Sequence, residues 1–173
     1  EFTPSTPKGK PEVPETTQAA EAVAEKDEDR VAEWVSDPND PNNVTIEVAI
    51  RKSLKYIGES PAGELTQADL EKVTELELDR KQLTSVKGLE KLTQLESLHL
   101  SHNKLTDVKG LEKLTQLKEL YLTDNKLTDV KGLEKFTQLT LLALENNPDL
   151  TKAQIDQLQK ALPKCKIISN PKK

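Results

Sequence analysis

The 173-residue sequence contains no methionine, a single cysteine (Cys165), one tryptophan, two tyrosines and two phenylalanines. One cysteine excludes an intrachain disulfide framework and any metal site built on several cysteines. Aromatics at 3% and hydrophobic residues at 34% are lean for a compact two-layer core. No apolar run approaches the roughly 18–20 residues of a membrane-spanning helix, so no membrane span is expected. Also missing is a dense positive field. Lys and Arg number 25 against 30 Asp and Glu, a formal charge of −5, which argues against a nucleic-acid partner. With no methionine, a chain opening Glu1-Phe2 reads as trimmed or processed. A signal peptide or lipid-anchor cysteine would lie upstream, so its absence says little about compartment.

The charge is unevenly spread. Residues 1–45 carry 4 basic and 11 acidic side chains, and residues 46–173 carry 21 and 19. Residues 1–16 hold four prolines and almost nothing apolar, a composition that does not offset the entropy of ordering. Residues 1–43 are therefore expected to be a disordered, acidic, proline-rich tail. Within it, Gln18 to Val35 is compatible with a helix docked through Trp34 or with a solvated linker of transient helicity. Asp37–Asn43 reads as a turn-rich boundary. Its alternating Asp and Asn lack the glycine and terminal glutamate of a calcium loop. Asn43-Val44-Thr45 is a formal glycosylation acceptor, relevant only in a eukaryotic secretory route.

What the sequence has in abundance is self-similarity. VTELELDRKQLTSVKGLEKLTQ begins at Val73, LESLHLSHNKLTDVKGLEKLTQ at Leu95 and LKELYLTDNKLTDVKGLEKFTQ at Leu117, with a partial unit from Leu139. The step is 22 residues each time. In the second unit apolar residues fall at Leu95, Leu98, Leu100, Leu105, Val108, Leu111 and Leu114. Leu98 and Leu100 alternate with Ser97, His99 and Ser101, a strand with leucines inward and the others on the opposite face. Asn103, Asn125 and Asn147 sit one repeat apart, placed to satisfy backbone groups at the turn. Lys81 takes this place in the first unit, where the ladder should break. The Val-Lys-Gly-Leu segment suits a 3₁₀ turn or irregular convex stretch, with Gly88, Gly110 and Gly132 permitting it. One coil cannot bury its apolar positions alone; stacking makes the core.

The pattern LxxLxLxxNxL is identified as a leucine-rich repeat, and the short form with its Val-Lys-Gly-Leu-Glu-Lys-Leu back half resembles the bacterial repeats of the internalins. The resemblance covers about residues 44–168. It implies an α/β right-handed solenoid with a short parallel concave sheet, a helical N-terminal cap and a C-terminal helix-strand cap. The expected divisions are a tail at 1–43, an N-terminal cap at 44–72, repeats at 73–150 and a C-terminal cap at 151–173. Ile46, Ala49, Ile50, Leu54 and Ile57 lie at helical spacing in the first cap. Thr66, with Asp69 three residues on, opens a second helix over LTQADLEKV. Thr151 opens a C-terminal helix bearing Ile155, Leu158 and Leu162, after which Cys165, Ile167 and Ile168 read as a short covering strand. Cys165 is expected as a buried cap residue rather than a reactive thiol.

Repeats within one chain can be compared with each other. Residues 103–124 and 125–146 match at 16 of 22 places, and five of the six differences lie on or beside the outward strand face. Lys87, Glu90 and Lys91 meanwhile recur unchanged as Lys109, Glu112, Lys113 and Lys131, Glu134, Lys135. The candidate partner-binding face is Glu75, Glu77 and Asp79, then Ser97, His99 and Ser101, then Glu119, Tyr121 and Thr123, then Leu141, Ala143 and Glu145. His99 and Tyr121 are its central anchors. Four strands span about 15 Å between the outer two, small for a standard interface side, so weak binding or weak self-association fits. Catalysis finds no support. His99-x-x-His102 with Asp124 as a metal site conflicts with strand alternation, and His99 beside Glu77 reads better as a solvated polar residue than as half of an acid–base pair. No nucleophile has a partnered base and no glycine loop cradles phosphate. Neither cofactor nor metal is expected.

The expected function is non-catalytic protein recognition. The internalin resemblance implies an extracellular or bacterial-envelope location. An intracellular regulatory or adaptor subunit and an engineered or structural scaffold without a natural ligand are the other readings. Deleting residues 1–43 is expected to leave the melting temperature nearly unchanged, and a fall of many degrees would show that Trp34 docks.

Overall fold

The computed structural model describes residues 32–34 and 37–171. Most of the expected tail, including most of the candidate docking helix, lies outside them. Residues 32–34 are extended. Strand β1 (Ala32–Trp34) pairs antiparallel with β2 (Leu65–Thr66), so at these three residues the chain is neither helix nor free linker.

Helix α1 runs Pro41–Tyr56, three residues earlier than apolar spacing suggests. The Asp37–Asn43 stretch explains the shift. Asp40 is the N-cap, its carboxylate accepting the Asn42 amide at 2.9 Å, and Pro41 opens the helix, where the N–H it lacks has no intrahelical partner anyway. The Asn42 side chain then reaches 42 residues along the chain to accept the Thr84 amide at 2.9 Å, tying the cap to the first coil. Ile46, Ala49, Ile50 and Leu54 are buried as expected, but Ile57 is 55% exposed. It falls just beyond the last turn and so leaves the apolar stripe. Helix α2 is only Gln67–Leu70. Thr66 accepts the Asp69 amide at 3.3 Å and Asp69 accepts the Thr66 amide at 2.9 Å, a reciprocal cap.

The repeats form strands β3 (Glu75–Glu77), β4 (Ser97–His99), β5 (Glu119–Tyr121) and β6 (Leu141–Ala143), paired parallel in unshifted 22-residue register. A fifth parallel strand, β7 (Lys166–Ile168), adds beyond β6. Helix α3 (Lys152–Ala161), capped reciprocally by Thr151 and Gln154, precedes it and buries Ile155 and Leu158. The core is one continuous stack in which the leucines of successive coils are essentially inaccessible. Cys165 is buried at its C-terminal end, and burial raises its thiol above the ordinary range, which disfavours the thiolate.

The convex side turns at left-handed glycines. Gly88 and Gly132 lead 3₁₀ turns at Leu89–Lys91 and Leu133–Lys135. A Cβ on Gly110 would sit 2.8 Å from the Val86 carbonyl of the preceding coil, so both conformation and space demand glycine there. The recurring glutamates have a structural task. Glu90, Glu112 and Glu134 accept the amides of Gly88, Gly110 and Gly132 at 2.6, 2.7 and 2.7 Å. Their constancy therefore reflects turn geometry and not only a solubilising surface.

The asparagine ladder couples the coils. Asn103 donates to the carbonyls of Leu100 in its own coil and Leu78 in the one before, both at 2.9 Å. It also accepts the amides of Lys81 and Leu83 at 3.1 and 2.9 Å. Asn125 and Asn147 repeat the arrangement on Leu100, Leu122 and Leu105, and on Leu122, Leu144 and Leu127. Each asparagine thus bridges backward. Lys81 ends the ladder because the helical cap, not another coil, precedes it.

Two outcomes follow. Asn125→Ala leaves buried amide and carbonyl groups unpaired and should lower stability by roughly 3 kcal/mol in urea unfolding, against a change within about 0.5 kcal/mol for Lys81→Ala. The start of α1 at Pro41 also replaces the expectation for the 1–43 deletion. Removing residues 1–43 should lower the melting temperature by roughly 3–6 °C relative to removing 1–36, because only the longer cut takes away the Asp40 cap and the Asn42–Thr84 tie.

Candidate functional site

Alternation in the parallel strands carries two rows of side chains per coil onto the concave face. Register aligns Glu75, Ser97, Glu119, Leu141 and Lys166 in one row. Glu77, His99, Tyr121, Ala143 and Ile168 form the other, while Leu76, Leu98, Leu120, Leu142 and Ile167 point to the core. Lys166 and Ile168 were not foreseen on this face. The covering strand was legible in the sequence, but its register against β6, which decides which of its residues face outward, was not.

At the centre His99 and Tyr121 stack with ring centroids 4.4 Å apart and planes 16° from parallel. Ser97 Oγ lies 3.3 Å from His99 Nε2, and the Tyr121 hydroxyl donates to Glu119 at 3.0 Å. Four candidate residues from two strands thus form one chain of contacts. Glu75 and Glu77 are exposed at the N-terminal end, beside α1. No bond joins Glu77 to His99 among the described residues. Leu141 and Ile168 are half-buried and Ala143 buried, so the surface passes from acidic through aromatic to aliphatic, with Lys166 at its far edge.

The remaining candidates have partners within the fold. Asp79 accepts the Ser101 amide at 2.6 Å, and Thr123 donates to Glu145 at 3.4 Å. The next position, Arg80, His102, Asp124 and Asn146, is left-handed in every coil, with φ between 55° and 58°. Asp and Asn suit that conformation best among non-glycine residues. His102 pairs with Asp124 at 3.3 Å and Asp124 accepts from Asn146 at 3.0 Å, forming a rim ladder that separates His102 from His99. Glu96 and Lys118, flanking the strands, pair at 2.7 Å. Several inter-repeat differences thus have a reason in the fold. The two strand rows, Ser97, Glu119, Leu141 and His99, Tyr121, Ala143, do not. Among the described residues no group of three or more His, Cys, Asp or Glu is placed to hold a metal ion, and no helix is long and apolar enough to cross a membrane.

Burial, with Glu119 as hydrogen-bond acceptor and neighbouring charge, raises Tyr121 above the ordinary tyrosine value of 10.0. In a Tyr56→Phe background, absorbance titration should place the Tyr121 midpoint above pH 10.0, and Glu119→Gln should lower it without removing the larger effect of burial. Because the unfolded chain ionises first, Tyr121 makes stability fall as pH rises between the unfolded and folded midpoints. An unshifted midpoint would contradict the packing.

Comparison with known proteins agrees with this geometry. A family model described as Leucine-rich repeat and WD repeat-containing protein 1, LRR, matches residues 58–172. The solved structure of internalin C2 from Listeria monocytogenes strain 4b F2365 is similar, with a TM-score of 0.62 at 24% identity over 77% of this chain and 60% of that one. An internalin (InlF) from the same strain gives a TM-score of 0.58 at 23% identity over 77% of this chain and 47% of that one. The chain thus spans less than two thirds of these relatives, and at such identities the likeness is one of fold. No curated protein matches the chain.

Proposed function

The chain belongs to the leucine-rich repeat family, and on that premise we propose that it is a non-catalytic protein-recognition module holding a partner on its concave sheet face. The observation that carries this reading is the pair of strand rows. Their inward neighbours are leucine in every repeat, and their backbones are held by parallel strand pairing, yet the outward pair changes from each coil to the next. They also collect a stacked His99–Tyr121 pair beside Leu141 and Ile168 on an otherwise polar surface. Half-exposed amphipathic rings next to aliphatic side chains are the material of interface anchors. The convex side is constant for a reason that needs no partner, since its glutamates hold the glycine turns.

The binding residues are proposed as Glu75, Glu77, Ser97, His99, Ser101, Glu119, Tyr121, Thr123, Leu141 and Glu145, now joined by Lys166 and Ile168. An extracellular or bacterial-envelope site of action is part of the proposal, supported by the internalin-like repeat and fold. Near-identical repeats favour a second reading, a structural or engineered scaffold without a natural ligand.

Affinity capture from a lysate or cell surface separates the two. The wild-type chain should recover a protein that the His99→Ala/Tyr121→Ala variant, still folded by circular dichroism, does not. Equal recovery by both would remove the concave assignment, and recovery by neither would favour the scaffold.

A further inference from the structure

The two ends of the concave sheet are finished differently. At the N-terminal end α1 lies against β3, and the Ser53 hydroxyl donates to the Glu75 carbonyl at 2.9 Å, so that edge is covered. At the other end β7 is the last strand. Lys166 donates its amide to the Thr140 carbonyl at 2.8 Å, and the Ile168 carbonyl accepts the Leu144 amide at 2.7 Å. Residues of a parallel strand alternate between their two neighbours. Lys166 and Ile168 therefore face β6, and the N–H and C=O of Ile167 face outward, with no described residue paired to them. Helix α3 reaches this edge only one step earlier, where Gln159 Nε2 donates to the Cys165 carbonyl at 3.0 Å. Past β7 the chain turns to the rim, where Asn170 accepts the Asn146 amide at 2.6 Å and donates back at 2.8 Å, so no described residue covers the edge. An edge with unpaired backbone groups is a template for another strand.

We propose that this edge pairs with the same edge of a second copy, antiparallel about a two-fold axis at Ile167. The interface is then isologous, each contact made twice. Ile167 presents both its groups outward, so the two copies exchange two N–H···O=C bonds there. The register sets Lys166 opposite Ile168 of the second copy and Lys164 opposite its Asn170, so no like charges are directly opposed. The partly buried Ile167 side chains, which pack on the ends of the two cores, cover each other. Such an axis is perpendicular to the sheet and leaves both concave faces on one side. Five three-residue strands cover a strip roughly 19 Å by 10 Å, small beside the ~800 Å² each partner gives to a standard interface. Ten strands double that surface.

Sedimentation equilibrium of the full chain from micromolar to millimolar concentration tests this independently of any concave partner. A reversible dimer is expected. Ile168→Lys places like charges opposite each other twice across the axis and should weaken it by roughly two- to thirtyfold, whereas Ile168→Glu faces Lys166 of the second copy and should tighten it comparably. Ile167→Pro removes the outward N–H without touching the β6 ladder and should abolish the dimer. If that variant does not fold, the two Ile168 variants decide. A chain monomeric throughout, or a dimer of equal affinity in both Ile168 variants, overturns the proposal.

Discussion

After each short strand the chain must turn, and the turn leaves amides and carbonyls that no β-ladder reaches. From the second coil on, one buried asparagine satisfies these groups, bonding one carbonyl in its own coil and one carbonyl and an amide in the coil before. An unpaired buried backbone group costs on the order of 1–3 kcal/mol, so these side chains fix where one coil sits on the next. The unshifted register of β3 to β6 is consistent with that spacing. So is the close stacking of the leucine layers, which alone would tolerate sliding.

Once the backbone is held this way, the outward strand residues are largely released from folding: apart from the buried Ala143, they neither cap turns nor fill the core. The convex surface has less freedom, because its glutamates and glycines make the return turn. A coil of this kind separates its sequence into positions that build and positions that face outward. The graded face, acidic beside α1 and aliphatic beside β7, is what four different coils and a terminal strand leave when only the first set is constrained.

Most of the architecture was legible in the sequence because its signals were local and periodic. The leucine spacing, the asparagines and the caps at Thr66 and Thr151 all appear where their residues imply. The errors arose where the determining contact is distant in sequence or where a local contact depends on a backbone conformation that spacing does not reveal. Asn42 read as a boundary residue because its partner, Thr84, lies 42 residues away, and Asp40 because its cap on the Asn42 amide exists only once α1 starts at Pro41. Ile57 looked like a core residue because spacing does not reveal where a helix stops. The recurrence of the convex glutamates was visible, but their acceptor role lies in the turn's conformation. Lys166 and Ile168 joined the concave face only through the register of β7 on β6. His99 and Tyr121 were foreseen as central anchors, but not as one continuous contact running from Ser97 to Glu119.

The claim beneath all of this is that asparagine side chains hold the coils in register, and amide hydrogen exchange tests it directly. The amides of Leu83, Leu105 and Leu127 donate to asparagine side chains and to no strand. They should exchange only as slowly as the strand amides of β4 and β5, through unfolding of the whole stack. Rapid exchange of these three amides while the strands remain protected would show that the ladder is ornamental and that leucine packing alone sets the register.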